Sequence, residues 1–251
     1  MAVSLQNRVA LVTGGAGGIG AAICQGLAAA GVTVVVGYHS SREPAERLAA
    51  GLPLAGRPHA ALAAPVTDSA ALAALAEEIE GRYGRCDILV NCAGTTRFVP
   101  HEDLDGLDDG LFEQILATNV RGPFATLRAL RQLLERSGAG LVVNISSIAA
   151  VSAMGSNVAY CASKAALDNM TKSLARALAP AIRVVSVSPG LADTDFVKKM
   201  DRSWRDEQAG RTPLQRLAEP HEVADAVVAL ASHLTFTTGA VIPVDGGRPL
   251  S

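Results

Sequence analysis

Seven short aliphatic runs alternate along the chain with longer alanine-rich stretches. The runs lie at 9–12, 32–36, 59–63, 88–91, 141–145, 182–187 and 241–244, and the helical stretches at about 18–30, 43–51, 69–83, 103–136, 158–178 and 221–232. Runs that are apolar on both faces belong in a parallel sheet covered on each side by helices. Alternation without a linker or a shift in composition predicts an α/β fold, one doubly wound parallel sheet with helices on both faces, formed by residues 1–251 as a single domain. Residues 191–212 show no clear element. Loops of that length in compact domains are mostly lids or binding loops.

Composition narrows the function classes. Apolar residues make up 49% and charged residues 18%, which excludes a disordered chain. A net charge of −2 gives no field for gripping nucleic acid. Cys24, Cys86, Cys92 and Cys161 form no C-x-x-C pair, so neither a metal site nor a disulfide framework is expected, and reduced thiols point to the cytoplasm. The uncharged stretch from Val9 to Tyr38 imitates a membrane segment, but Gly14, Gly15, Gly17, Gly18 and Gly20 interrupt it. Strand, turn, helix, turn and strand describe it better, and no membrane partner is expected.

That turn carries chemistry. Thr13-Gly-Gly-Ala-Gly-Gly-Ile-Gly20 follows the first run and opens the first helix. Glycines there allow a sharp turn and close approach of a pyrophosphate, whose charge the free N–H groups of the helix start then hold. Two spacings fit: Gly15, Gly17 and Gly20 as G-x-G-x-x-G, or Gly14, Gly18 and Gly20 as G-x-x-x-G-x-G. Either makes the sheet Rossmann-type. An NAD-binding unit places a carboxylate after the second strand to meet the adenosine ribose. Here the residues are Gly37-Tyr38-His39-Ser40-Ser41-Arg42, with no acid before Glu43. Hydroxyls, an imidazole and a guanidinium suit a 2′-phosphate, so NADP is favoured over NAD.

Tyr160 and Lys164 stand at i, i+4 near the start of a helix and share one face. A cation beside a phenol favours phenolate, so the Tyr160 pKa is expected to fall towards neutrality, where the residue works as a general acid or base. Lysine is scarce here, at 4 residues against 18 arginines, which makes Lys164 conspicuous.

The glycine turn and the Tyr–Lys pair together resemble the short-chain dehydrogenase/reductase family, in its 3-oxoacyl-carrier-protein-reductase-like branch. The resemblance runs over essentially the whole chain. Thr13-Gly14-x-x-x-Gly18-x-Gly20 matches the family's cofactor turn, and Asn91-Cys-Ala-Gly94 its segment after the fourth strand. Asn119 matches the family's asparagine, Ser147 lies 13 residues before Tyr160, Pro189-Gly190-x-x-x-Thr194 matches the segment that holds the nicotinamide amide, and Val244-Asp-Gly-Gly247 looks like the closing motif.

The resemblance implies an oxidoreductase that moves a hydride between nicotinamide and a carbonyl or secondary alcohol. Tyr160 would be the general acid or base. Lys164 would bind the nicotinamide ribose and lower the Tyr160 pKa. Ser147 would bond the substrate oxygen, and Asn119 would hold a water linking Lys164 to solvent. The cofactor would rest on Gly14, Gly15, Gly18, Ile19 and Gly20, on Tyr38, His39, Ser40, Ser41 and Arg42, and on Val66, Asn91, Ala93 and Gly94. Tyr160, Lys164, Pro189, Gly190 and Thr194 would complete its site.

Three positions depart from the family pattern. Pro65 stands where an aspartate often meets adenine, which leaves Asp68 as a helix cap; Cys92 replaces an asparagine; Gly17 stands where NADP-preferring members often carry a basic residue. Segments 96–99, 151–158 and the loop from Leu191, with Phe196, Met200 and Trp204, are mostly apolar. They suit a neutral or thioester-linked ketone. Reduction of C=N, epimerisation and a non-catalytic NADP-binding regulator are the other readings. The family resemblance also implies a homotetramer.

Overall fold

The structure, a computed structural model, describes residues 2–54 and 56–250, apart from the side chain of Phe196. All seven strands form: β1 (Val9–Thr13), β2 (Thr33–Tyr38), β3 (Ala60–Ala63), β4 (Ile88–Asn91), β5 (Gly140–Ile145), β6 (Ile182–Pro189) and β7 (Val241–Val244). They pair in parallel in the order β3-β2-β1-β4-β5-β6-β7. The order reverses between β1 and β4, and in such sheets the crevice beyond the strands' C-terminal ends at the reversal is where ligands bind.

Successive residues of each strand enter different cores. Val9 and Leu11 face one layer, with Leu72 and Ile79 of α3 (Ser69–Tyr83) and Leu130 and Leu134 of a later helix. Ala10 and Val12 face the other, with Ile23 and Leu27 of α1 (Gly18–Ala29). This two-sided burial is why the strands read as unbroken apolar runs. Each buried leucine or isoleucine contributes about 1.5–3 kcal/mol.

Helices α1, α2 (Arg42–Gly51), α3, α7 (Val158–Leu178) and α10 (Pro220–Ser232) lie where the sequence predicts, within one or two residues. The stretch 103–136 differs. Its helix begins only at α4 (Asp109–Leu116), because Asp108 caps it by accepting from Leu111 N–H at 2.8 Å. A π turn (Ala117–Arg121) then joins α4 to α5 (Gly122–Arg136). Such single turns are frequent at functional positions, and Asn119 sits inside this one. A short helix, α6 (Ala149–Ser152), follows β5. The 191–212 stretch is not structureless either. It holds α8 (Asp195–Lys198) and α9 (Arg202–Gly210), the latter capped by Asp201. Polar residues crowd α9 and leave no apolar periodicity to read.

Residues 9–38 form β1, α1 and β2, and no helix among the described residues is long and apolar enough to cross a membrane. Asp68 accepts from Ala70 and Ala71 N–H and caps α3, as expected.

Candidate active site

The site begins with a polar row along the C-terminal edge of an otherwise aliphatic sheet. Thr13 pairs in register with Asn91, Asn91 with Asn144, and Asn144 with Ser186. All four are buried. Asn91 Nδ2 donates to Asn144 Oδ1 at 2.8 Å, Asn144 Nδ2 donates to Thr171 Oγ1 on α7 at 2.8 Å, and Thr171 meets Ser186 at 2.8 Å. Thr13 Oγ1 accepts from the N–H groups of Cys92 and Ala93, at 3.1 and 3.2 Å. The row thus fixes where the chain leaves β1 and β4.

Close approach explains the glycines. Gly14 has φ +64°, and a Cβ there would lie 2.9 Å from Ala93 Cα. A Cβ at Gly20 would fall 2.2 Å from the Gly14 carbonyl, and one at Gly18 2.8 Å from Thr194 Cγ2. Gly17, by contrast, has room. Close contacts therefore support the spacing Gly14, Gly18 and Gly20, since the alternative needs a glycine at 17 and position 17 has space for a side chain. Gly15 lies beneath the turn, where a Cβ would meet the Val12 carbonyl at 2.9 Å.

A cleft of about 840 Å³ opens above this row. The sequence-predicted residues Gly14, Gly18, Ile19, Gly20, Tyr38, His39, Ser40, Ser41, Val66, Ala93, Gly94, Tyr160, Lys164 and Thr194 line it. Others do not. Arg42 is the first residue of α2 and turns to Glu46 at 2.7 Å, with its side chain 73% exposed. Asn91 does not line the cleft, and its Nδ2 donates to Asn144. Pro189 ends β6 and accepts from Ile148 N–H, and Gly190 borders a separate small cavity beside Asp245. The long, continuous cleft and its glycine cradle fit a dinucleotide.

At one end of the cleft lies the Tyr160 group. Lys164 Nζ is buried and donates to the Ile145 carbonyl at 2.8 Å. Burial pushes its pKa down from 10.5 to about 8, against the opposing pull of Cys92 and Asp168. Nζ lies 5.7 Å from the Tyr160 ring centroid. The expected fall of the Tyr160 pKa does not occur in the protein alone. Burial raises the phenol, and a hydrogen bond with Ser147 pulls it part of the way back. The lysine is turned to the Ile145 carbonyl, and desolvation is the largest influence on the phenol.

Asn119 is 1% exposed and also sits away from the cleft wall. Its Oδ1 accepts from Thr95 N–H at 2.8 Å, and its Nδ2 donates to the Thr95 carbonyl at 3.0 Å and to Ser163 Oγ at 3.1 Å. A Cβ at Gly94 would lie 3.4 Å from Asn119 Oδ1 and 3.9 Å from Lys164 Nζ, so the glycine keeps the space between them clear. Sequence reasoning missed Thr95, Asn157 and Ser163. Asn157 had a legible signal, since an asparagine three residues before Tyr160 is a helix cap.

The 191–212 segment is fastened over the neighbouring edge. Arg205 of α9 pairs with Asp193 at 2.7 Å, and Arg248 donates twice to Gln208 at 2.9 Å. Met200 and Trp204 are partly exposed on it, and Phe98, Val151 and Met154 are exposed on the segments after β4 and β5.

Comparison with known proteins agrees with this geometry. The family profile described as enoyl-(acyl carrier protein) reductase matches residues 14–248. The chain is 41% identical over 244 residues to a granaticin polyketide synthase ketoacyl reductase of Streptomyces violaceoruber, covering 96% of each chain. A short-chain dehydrogenase/reductase of Burkholderia xenovorans superposes with a TM-score of 0.89 at 35% identity, covering 97% of this chain and 98% of the other. The Pseudomonas aeruginosa RhlG/NADP active-site complex does so with a TM-score of 0.90 at 33% identity, covering 98% of each.

The buried ammonium makes a testable difference. A lysine whose folded pKa is depressed binds fewer protons folded than unfolded, so its burden on stability lifts as pH rises from about 8 to 10.5. Denaturant titrations of the cofactor-free protein should show wild type gaining on Lys164→Met across that window, by up to about 3 kcal/mol. A constant difference would contradict a desolvated Lys164.

Proposed function

The chain belongs to the short-chain dehydrogenase/reductase family, and from that premise we propose that it reduces a ketone to a secondary alcohol with NADPH, using Tyr160 as the proton donor. As a member it is a nicotinamide-dependent oxidoreductase of carbonyl or alcohol substrates. Tyr160 and Lys164 line one end of the cleft, and Ser147, outside the lining itself, hydrogen-bonds the Tyr160 side chain; that grouping carries the reading. Relatives named as a ketoacyl reductase and an acetoacetyl-CoA reductase favour it over C=N reduction, epimerisation or a non-catalytic regulator.

The residues divide the work. Ser147 and Tyr160 present two hydroxyls to one substrate oxygen, which orients the carbonyl and receives its developing charge. The nicotinamide, when bound, supplies the hydride. Tyr160 gives its proton to the oxygen. Burial holds the phenol protonated, which suits reduction. Lys164 compensates the phenolate left behind. Proton return runs past Gly94, where a water between Lys164 Nζ and the second lone pair of Asn119 Oδ1 joins lysine to solvent.

The glycine turn, the Gly37–Ser41 segment, Val66, Ala93, Gly94 and Thr194 hold the cofactor. NADPH is the preferred form because the end of β2 offers His39, Ser40 and Ser41 and no carboxylate. Arg42 completes the phosphate site by leaving Glu46. That pair is solvent-exposed and opposes the swing weakly. The neighbour solved with NADP supports the same choice.

Residues 1–251 act as one catalytic domain with 191–212 as its substrate loop. The apolar rim of Phe98, Val151, Met154, Met200 and Trp204 takes a neutral or thioester-linked ketone. The reduced state of the four free cysteines supports a cytoplasmic location. A homotetramer assembles through α4, α5, α7 and the C-terminal segment.

Tyr160→Phe should fold, bind NADPH and lose at least a thousandfold in kcat on any ketone the wild type reduces; retained turnover would refute the mechanism. Initial rates with NADPH should exceed those with NADH at least tenfold, and the reverse preference would overturn the reading of Ser40 to Arg42. Light scattering should give a mass near four times 25.8 kDa, and a monomer would contradict the tetramer.

A further inference from the structure

The loop after β4 and the head of α7 meet beside the cleft, and one side chain joins them. Asn157 is 1% exposed. Its Oδ1 accepts from the main-chain N–H of Tyr160 at 2.7 Å. Its Nδ2 donates to the Arg97 carbonyl at 2.7 Å and to Thr96 Oγ1 at 3.2 Å. The first bond is an ordinary N-cap, which serine, threonine or aspartate would supply equally well. The other two need amide hydrogens, and among short side chains only asparagine combines that acceptor with two donors.

Followed further, these bonds close into a ring. The loop that Asn157 grips at Thr96 and Arg97 is gripped one residue earlier by Asn119, through both main-chain atoms of Thr95. Asn119 Nδ2 also donates to Ser163 Oγ, and Ser163 Oγ donates to the main-chain carbonyl of Tyr160 at 2.7 Å. Tyr160 is therefore held at its N–H by Asn157 and at its carbonyl by Ser163. Both holds lead through carboxamides to the same three-residue loop. Neighbouring bonds tie the loop down again, with Val99 N–H donating to the Ser156 carbonyl at 2.9 Å and Thr96 Oγ1 meeting Ser156 Oγ at 2.5 Å.

We propose that Asn157 is a positioning residue for the reaction, whose carboxamide locks the β4 loop to the first turn of α7 and so fixes the Tyr160 phenol relative to the cleft wall. The proposal rests on Tyr160 as proton donor and adds a residue that touches neither substrate nor cofactor. Reactive groups tolerate little displacement, since an error of about 1 Å costs on the order of a hundredfold in rate. A cap alone would secure the helix but leave the loop's hold on it to the Ser156 contacts and, at Thr95, to Asn119.

Asn157→Ser separates the two roles, because it keeps the cap and deletes both amide bonds. The expected result is a folded protein with Tm within a few degrees of wild type, unchanged NADPH affinity and kcat at least tenfold lower. The Tyr160 phenol should titrate at a shifted pH, read by ultraviolet difference against Tyr160→Phe. Ser163→Ala breaks the ring elsewhere, and its kcat loss combined with Asn157→Ser should be less than additive. Wild-type kcat and an unmoved phenol titration in folded Asn157→Ser would reduce Asn157 to a cap and overturn the proposal. Should Asn157→Ser fail to fold, folded Ser163→Ala with full kcat and an unmoved phenol overturns it equally. Turnover by Tyr160→Phe would refute the proton-donor assignment instead, and the phenol titration of Asn157→Ser would still decide whether the ring positions that side chain.

Discussion

Four polar side chains in register across the end of an aliphatic sheet set the conditions for everything above them. β4, β5 and β6 end inside the molecule, with helices on both sides and little water to satisfy their last polar groups. Unpaired groups at that depth would be costly. The Asn91–Asn144–Thr171–Ser186 chain and the Thr13 hydroxyl satisfy most of one another's groups and the adjoining backbone, with Asn91 Oδ1 left buried and unpaired among the described residues. They also fix the exit direction of each strand. The glycine turn after β1, the loop after β4 and the segment after β5 then diverge at fixed angles and leave a cleft between them.

The buried ammonium is the most demanding element that this floor supports. Burial works against Lys164's charge, and the Ile145 carbonyl replaces only part of its lost hydration. Lysine suits the position because a compact ammonium with movable donors can serve one carbonyl now and other oxygens later, where a guanidinium's broad fork would not fit. The contrast within this chain is direct. Arginine holds most basic positions, and Lys172, Lys198 and Lys199 are exposed. A site that keeps such a charge out of water gives up stability for function.

Much of this was legible in the sequence. The seven strands were, because burial on both faces leaves unbroken aliphatic runs, and so were the glycine turn and the Tyr160–Lys164 pair, because their chemistry depends on local spacing. What escaped was non-local or polar. The break at Ala117–Arg121 lies inside a stretch whose composition reads as continuous helix, and only the tertiary holds on Asn119 reveal its use. Helix α9 was hidden by its polarity. Arg42 read as a phosphate ligand because its residue type fits, but Glu46 one helical turn away captures it in the protein alone. The Tyr160 pKa departs from the expectation because i, i+4 spacing sets proximity, whereas desolvation of the phenol decides the sign.

Gly18 and Thr194 are 176 residues apart in the chain, yet the absent side chain of one makes room for the methyl group of the other. The start of α1 and the segment leading into α8 therefore share a single small volume. Positions 18 and 194 form a size-complementary pair: growth at one requires shrinkage at the other. Libraries that randomise the substrate loop while holding the glycine turn fixed would draw mainly folded, cofactor-competent variants from residues at 194 no larger than threonine. Access to bulkier loops lies through paired change, and the inheritance of the two segments should be linked accordingly.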